Sequence, residues 1–169
     1  NDGDAWCWGS PVKGRLGMGN FNNSTIYKTP MQTSESGLNF DSITSGRAHS
    51  CAKTIDDDLY CWGDNTFKQM SDSSASSYKN VSKMTDFVDG TVSKVSIGVD
   101  SDFSCVLDNS SDVKCWGTLN GVPYVDPTLF TTEKAIDVGA GTNHACAALE
   151  SGKVECWGDN SYNQAPSSI

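Results

Sequence analysis

Three stretches of the chain share one pattern of hydrophobic and polar positions. Each is a short apolar run, a polar or glycine-bearing turn, and a second short run that ends in Cys-Trp-Gly. Two such runs joined by a turn are typical of a β-hairpin. The pattern therefore predicts hairpins that turn around Asp56, Ser110 and Ser151.

The Cys-Trp-Gly tripeptide occurs four times and marks a repeating unit. Successive tryptophans lie 54, 54 and 41 residues apart. A repeat of roughly 40–50 residues fits one four-stranded blade of a propeller better than shorter helical or leucine-rich repeats. The spacing predicts an all-β fold built from four-stranded propeller blades, of which the four tripeptides mark about three and a half. The repeated positions are Trp8-Gly9, Trp62-Gly63, Trp116-Gly117 and Trp157-Gly158.

Six of the seven cysteines form pairs across the predicted hairpins, ten residues apart. Directly opposed residues on antiparallel strands have Cα atoms about 4.5–5.5 Å apart, a distance that a disulfide can span. A structural zinc site is the alternative, although zinc-binding cysteines usually lie two to four residues apart. The spacing favours disulfides, each contributing up to about 3 kcal/mol by restricting the unfolded chain. The pairs are Cys51 with Cys61, Cys105 with Cys115, and Cys146 with Cys156.

The seventh cysteine, Cys7, has no counterpart ten residues before it within the sequence. We expect it to be the second half of a fourth cystine, whose first half would precede the first residue. The odd cysteine count then indicates a truncated chain of about three and a half blades.

A set of short motifs resembles the regulator of chromosome condensation repeat, whose pattern runs G-x-x-H-S, D-G-x-V-Y, W-G-x-N and G-Q-L-G. The clearest unit contains Gly46-Arg-Ala-His49-Ser-Cys51, then Tyr60-Cys-Trp62-Gly63-Asp-Asn65, then Lys68-Gln69-Met70. The resemblance implies a seven-bladed propeller of four-stranded antiparallel blades, of which residues 1–169 form one part. Its repeat marks fall at residues 7–17, 43–70, 95–117 and 136–166.

The sequence on either side of Trp116 departs from this repeat in two places. Phe103 stands where the other units carry His49 and His144. After Trp116 the Gln-Leu-Gly element is replaced by residues 119–123. We interpret the segment 120–130, like the serine-rich tract 71–77, as an inter-strand loop, and loops are the usual binding elements of propellers.

Composition and charge narrow the functional classes. The 169 residues carry a net charge of −9, with a sequence pI near 4.4 and only 12 Lys and Arg residues, which are scattered singly. Nucleic-acid binding is disfavoured because phosphate recognition needs clustered basic side chains. No apolar run reaches the roughly 18 residues of a membrane span. We expect neither a cofactor nor a metal.

Two histidines and three acidic residues are the main candidates for chemistry. His49 and His144 occupy equivalent repeat positions, which favours packing or hydrogen bonding within each blade over one active site. Alternatively, both line one face of the ring. The run 56–58 is Asp-Asp-Asp, but it lacks the defined loop of a calcium site and is better explained by turn formation.

The repeated tryptophans are expected to pack between blades, whereas Trp6 is expected to be exposed or to lie at a blade interface.

These observations predict a non-enzymatic module that binds another protein or a large surface or membrane-associated assembly through its loops. Disulfides indicate an extracytoplasmic compartment. Four sequons, at Asn22, Asn23, Asn80 and Asn109, are candidate glycosylation sites in a secretory route. The resemblance implies two more specific roles: inhibition of an enzyme, as in some secreted bacterial relatives, or activation of a GTPase by nucleotide exchange, as in the founding member.

Overall fold

A computed structural model of the chain describes residues 3–19, 25–71, 78–85 and 91–166. Within these ranges the protein consists of thirteen β-strands and one turn of 3-10 helix, Val12–Gly14. The short apolar runs form the strands, and the segments rich in glycine and aspartate between them form the turns. The strands are β1 (Trp6–Gly9), β2 (Tyr27–Gln32), β3 (Phe40–Ser45), β4 (His49–Thr54), β5 (Leu59–Asp64), β6 (Tyr78–Lys83), β7 (Val92–Ser96), β8 (Phe103–Asp108), β9 (Val113–Leu119), β10 (Val122–Leu129), β11 (Ala135–Ala140), β12 (His144–Leu149) and β13 (Val154–Gly158).

The strands form four antiparallel sheets in chain order. Blade 1 contains β1 and β2, blade 2 contains β3 to β6, blade 3 contains β7 to β10, and blade 4 contains β11 to β13. Two complete four-stranded blades thus lie between two partial ones, which confirms the predicted partial propeller. The Cys-Trp-Gly strands β1, β5, β9 and β13 are equivalent, and each is the third strand of its blade by comparison with blades 2 and 3.

The three predicted disulfides are present. Cysteines ten residues apart are directly opposed on the second and third strands of blades 2, 3 and 4. Their Cα atoms are 4.0–4.1 Å apart, slightly closer than the spacing assumed from sequence. Cys7 is a free thiol on β1. Partial burial raises the pKa of this thiol.

In three of the four tripeptides, the glycine turns the third strand where the neighbouring chain comes close. Gly63 has a φ of +109°, and a Cβ atom added to it would lie 2.4 Å from the carbonyl oxygen of Ala48. The pairing of β5 with β6 shifts register between Cys61 and Gly63. Glycine is required here because a side chain would meet backbone atoms and the φ angle is unfavourable for other residues.

Two of the repeated tryptophans fill the junctions between blades, as predicted. Trp62 and Trp116 are fully buried. The indole Nε1 of Trp62 donates to the carbonyl oxygen of Arg15 (3.2 Å), and that of Trp116 donates to the carbonyl oxygen of Gln69 (2.6 Å). Each acceptor lies in the preceding repeat, in the loop after the third strand. The ring and its hydrogen bond therefore join consecutive blades.

The other two tryptophans differ. Trp157 stacks on Phe130 with ring centroids 5.3 Å apart, and its buried Nε1 has no hydrogen-bond partner among the described residues. In the two buried cases the acceptor carbonyl lies in the loop after the third strand of the preceding blade. After Trp116 that loop is replaced by the short turn 120–121, so the Nε1 of Trp157 has no equivalent acceptor. Trp8 is 62% exposed, so the prediction that it packs between blades is wrong for this structure. Trp6 is exposed, which was one of the two expected settings.

The interpretation of residues 120–130 as a loop is wrong. Most of this segment is β10, which pairs antiparallel with β9. Asn120 and Gly121 have φ angles of +48° and +77°, values that suit a two-residue hairpin turn. Pro123 is tolerated because β10 is the outer strand of its blade, where a missing N–H costs no sheet hydrogen bond. Residues 72–77 of the serine-rich tract lie outside the described residues.

Candidate protein-binding face

The antiparallel order of each blade divides the connections between two faces. Loops from first to second strands and from third to fourth strands open at one face, which we call the loop face. Turns from second to third strands open at the opposite face, which we call the turn face. The loop face contains the described residues of loops 10–19, 46–48, 65–71, 97–102, 120–121, 141–143 and 159–166.

Loops on the loop face are held by internal hydrogen bonds. In blade 2, the Asp64 carboxylate accepts from the amide (2.9 Å) and hydroxyl (2.5 Å) of Thr66, and the Gln69 side chain accepts from the amide of Phe67 (2.9 Å). Loop 159–166 of blade 4 contains the same bonds, made by its equivalent residues. The same backbone conformation is therefore built twice from similar sequences.

The Asp64 carboxylate is also an ion-pair partner between blades. Lys13 of the preceding repeat donates to its Oδ2 at 2.5 Å. Burial disfavours the charged form of Asp64, but the hydrogen bonds from Lys13 and Thr66 outweigh that effect and lower its pKa. This pair holds the first two loops of the face together.

Apolar side chains stand at the tips of these fixed loops. Val99 is 79% exposed and Tyr162 is 89% exposed, and Phe67 and Val12 also face solvent. Phe67 and Tyr162 occupy equivalent positions in two repeats. Exposed apolar groups on a rigid frame are characteristic of protein interaction surfaces, because burying them on binding releases water without a large ordering cost.

One ion pair crosses the loop face between blades 2 and 3. Arg47 Nη2 donates to both carboxylate oxygens of Asp102, at 2.7 and 2.8 Å. Hydrogen bonding to Asp102 is the main cause of a raised pKa for Arg47. This pair carries no local sequence signal, because Arg47 lies in the loop before β4 and Asp102 lies in the loop before β8.

The structure places a serine next to one of the two candidate histidines. Nε2 of His49 lies 2.9 Å from Oγ of Ser104 in blade 3, and both residues are at most 1% exposed. Desolvation by burial lowers the pKa of His49 to about 4. Nδ1 of His49 has no partner among the described residues, so no group orients this ring as in a catalytic triad. The pair therefore joins blades 2 and 3.

The next junction uses an apolar version of the same contact. Phe103 and Ala145, the equivalents of His49 and Ser104, belong to one buried cluster between blades 3 and 4. His144 is partly exposed in blade 4 and lies one whole blade away from His49. The two histidines therefore lie in different blades and do not form one site.

The turn face is lined by ion pairs. Lys53 donates to Asp41 and Asp57 at 2.7 Å, and Lys83 donates to Asp58 at 2.6 Å. Two members of the aspartate run 56–58 are thus engaged by lysines. Among the residues that the structure describes, no cluster of three or more His, Cys, Asp or Glu side chains could hold a metal ion. Ile55 is exposed at this face, but it adjoins this charged run.

Two of the four sequons fall within the described ranges. Asn80 is exposed on the outer strand β6. Asn109 is exposed in the β8–β9 turn, where its Nδ2 donates to Asp57 (3.1 Å). Asn22 and Asn23 lie outside the described residues. No helix in the described part of the chain has the length and apolar character needed to cross a bilayer.

Comparison with known structures identifies the same architecture. The chain aligns with human WBSCR16 at a TM-score of 0.80 and 20% identity, over 95% of this chain and 44% of that one. It aligns with Prp20p from Saccharomyces cerevisiae at a TM-score of 0.78 and 20% identity, over 96% and 42%. The ectodomain of the receptor kinase CR4 from Physcomitrella patens aligns at 0.57 and 20% identity, over 79% and 34%.

These structural likenesses establish the fold, and the chain spans less than half the length of each of these proteins. The family follows from the sequence models. Models of the regulator of chromosome condensation (RCC1) repeat match residues 2–52, 40–69 and 135–164, which is more than half of the chain. The protein belongs to the RCC1 repeat family.

Proposed function

We propose that this chain is a non-enzymatic protein-binding module that contacts its partner through the loop face. The observation that carries the proposal is the set of exposed apolar tips, led by Val99 and Tyr162, on loops whose conformation is fixed internally. A preorganised loop loses little entropy on binding, so a modest contact area is sufficient for a specific complex.

Relatives of the same fold support a protein partner. The structure of Prp20p was described together with its binding to Gsp1p and histones, and a further structure contains Kap60 bound to yeast RCC1. For this acidic chain we propose a protein partner, either an enzyme that it inhibits or a larger surface assembly of which it is a peripheral subunit. Its net charge of −9 disfavours direct contact with nucleic acid.

We place the module in an extracytoplasmic compartment. Three disulfides persist where thiols are oxidised, and they are rare where glutathione and thioredoxin keep cysteines reduced. The fold occurs in the ectodomain of a receptor kinase, which supports such a location. Alkylation and mass spectrometry of the protein from its native source test this directly: we expect only Cys7 to be modified before reduction. Modification of the other six would overturn the assignment.

The binding face is tested by photo-crosslinking from two matched positions. A photoreactive residue replaces either Val99 on the loop face or Ile55 on the turn face, both of which are well exposed. We expect a discrete crosslinked protein from the extracytoplasmic fraction at position 99 and not at position 55. Unlabelled protein added in excess should compete for the partner and reduce the crosslink from position 99. Unlabelled protein with Val99→Asp should not compete, whereas unlabelled protein with Ile55→Asp should compete like the wild type. Crosslinking at position 55 alone would refute the proposed face.

Nucleotide exchange on a small GTPase is the second candidate, favoured by the likeness to Prp20p, a protein that binds Gsp1p. The assay is release of a fluorescent GDP analogue from a GTPase of the source organism. Acceleration that the Val99→Asp variant lacks would establish this activity and would place it on the same face.

A further inference from the structure

The loop between the first and second strands of blade 3 is longer than its equivalents in blades 2 and 4. In those two blades, two residues separate the glycine of this loop from the next strand, 47–48 and 142–143. In blade 3, four residues, 99–102, follow Gly98 before β8 begins. Because blades 2 and 4 form the same antiparallel sheets with the shorter loop, the extra length is not required by the fold.

Backbone hydrogen bonds identify the two extra residues. In each of these blades, the amide that follows Cys-Trp-Gly donates at 2.8–2.9 Å to the carbonyl oxygen of the last loop residue, which is Ala48, Asp102 or Asn143. The amide of Ser101, which directly precedes Asp102, donates to the carbonyl oxygen of Gly98 (3.2 Å). This bond closes a β-turn whose two central residues, Val99 and Asp100, are the insertion.

The inserted turn faces solvent. Val99 is 79% exposed and Asp100 is also exposed, whereas Gly98 and Ser101 on either side are buried. An apolar side chain stabilises a fold in proportion to the area it buries, so Val99 adds little to the core. The insertion is therefore better explained by binding than by stability.

Contacts from both neighbouring blades hold this turn in place. On the side of blade 4, Thr142 Oγ1 donates to the carbonyl oxygen of Val99 at 2.9 Å. On the side of blade 2, Arg47 forms the ion pair that fixes the end of the loop. Within the loop, the buried Oγ of Ser101 accepts from the amide of Phe103 (3.0 Å) and donates to its carbonyl oxygen (2.7 Å). The turn is preorganised, so a partner loses little free energy in ordering it.

The carboxylate of Asp100 differs from the other carboxylates of the loop face. Asp64, Asp102 and Asp159 each accept hydrogen bonds from side chains of this protein. Within the described ranges, Asp100 accepts no hydrogen bond and forms no ion pair. A free carboxylate next to an exposed apolar group is complementary to a partner surface that has a basic side chain beside an apolar pocket.

We propose that Val99 and Asp100 form the anchor of the loop face. The Val99 side chain enters an apolar pocket of the partner protein, and the Asp100 carboxylate pairs with an Arg or Lys side chain at the rim of that pocket. This inference rests on the proposed function and narrows it, because blades 2 and 4 lack the insertion. Blade 3 then determines which partner binds, and the other exposed tips, such as Tyr162, add contact area.

The test compares unlabelled full-length chains as competitors in the photo-crosslinking assay. The labelled chain carries the photoreactive residue at position 162 or 99 and is mixed with the extracytoplasmic fraction of the source organism. One competitor lacks residues 99 and 100, which gives its loop the length found in blades 2 and 4. We expect the concentration that halves the crosslink to rise about thirtyfold for this shortened chain and about tenfold for Val99→Ala. Near-ultraviolet circular dichroism like that of the wild type checks that both variants fold.

Two charge variants test the basic side chain of the partner. Asp100 has a φ of +57°, which asparagine also adopts, so Asp100→Asn keeps the turn. Asp56→Asn makes the same charge change on the turn face. We expect Asp100→Asn to compete about fivefold more weakly than the wild type at about 0.05 M salt and less than about twofold more weakly at about 0.5 M, because salt screens an exposed ion pair. Asp56→Asn should compete like the wild type. Equal competition by the two variants would refute the pairing of Asp100.

The outcomes distinguish the anchor from the proposed function. If the shortened chain and Val99→Ala competed as well as the wild type, the anchor would be overturned, and the loop face would remain the binding surface. Absence of any crosslink from positions 162 and 99 would refute the loop face, and the anchor with it.

Discussion

The buried pair His49 and Ser104 is expected to make the junction between blades 2 and 3 less stable at low pH. Replacing the pair by Phe and Ala should remove this part of the acid-induced loss in free energy of unfolding. The double variant copies the pair that the protein itself uses at the next junction, Phe103 and Ala145. Because this apolar pair already packs in the same fold, we expect the free energy of unfolding at pH 7 to change by no more than about 1 kcal/mol.

The magnitude follows from proton linkage. The pKa of His49 is about 4 in the folded protein, because burial disfavours the imidazolium, and an unfolded histidine has a pKa of about 6.5. Between these values the unfolded chain binds a proton that the folded chain does not. The contribution of neutral His49 to the free energy of unfolding is therefore fully present above about pH 6.5. It is lost as the pH decreases toward 4, and the loss between pH 7 and pH 4.5 is about 2 kcal/mol.

Urea unfolding followed by tryptophan fluorescence at pH 7 and pH 4.5 measures this loss. Carboxylates with lowered pKa values, such as Asp64, weaken the wild type and the double variant alike at low pH, so the difference between the two proteins isolates His49. A His144→Phe variant controls for removing an imidazole from the equivalent position of another blade. If the wild type and the double variant lost the same free energy, the buried neutral imidazole would not be the cause.

Three further predictions concern the blade junctions and disulfides. Trp116→Phe should lower the free energy of unfolding by about 1 kcal/mol more than Trp157→Phe in urea titrations, because only Trp116 loses an indole hydrogen bond. Gly98→Ala should prevent folding, because the added Cβ would lie 1.9 Å from the carbonyl oxygen of Gly141, and near-ultraviolet circular dichroism should be lost. Gly139→Ala should fold, because no atom lies within 4 Å of the added Cβ. In a timed reduction followed by alkylation, the disulfide Cys146–Cys156 should be reduced first, because its cysteines alone among the three pairs are partly exposed. Reduction of all three disulfides at the same rate would contradict this.

The sequence alone determined the architecture because its main signals are local. Cysteines ten residues apart face each other across one hairpin, so the chain's own period fixed the three disulfides and the register of the second and third strands. The tripeptide spacing determined the number of units. The prediction of a loop at residues 120–130 is wrong because two prolines in this segment hide an outer strand, which among the described strands pairs on one side only.

The contacts that decide function and stability came only from the tertiary structure. His49 and Ser104, like Arg47 and Asp102, are 55 residues apart and meet only because consecutive blades stack in register. Which loops share a face, and which of their side chains are exposed, depends on the path of all the strands together. A repeat in the sequence specifies each blade through short-range pairing, whereas the junctions and the binding face arise from the side chains that stacking brings together.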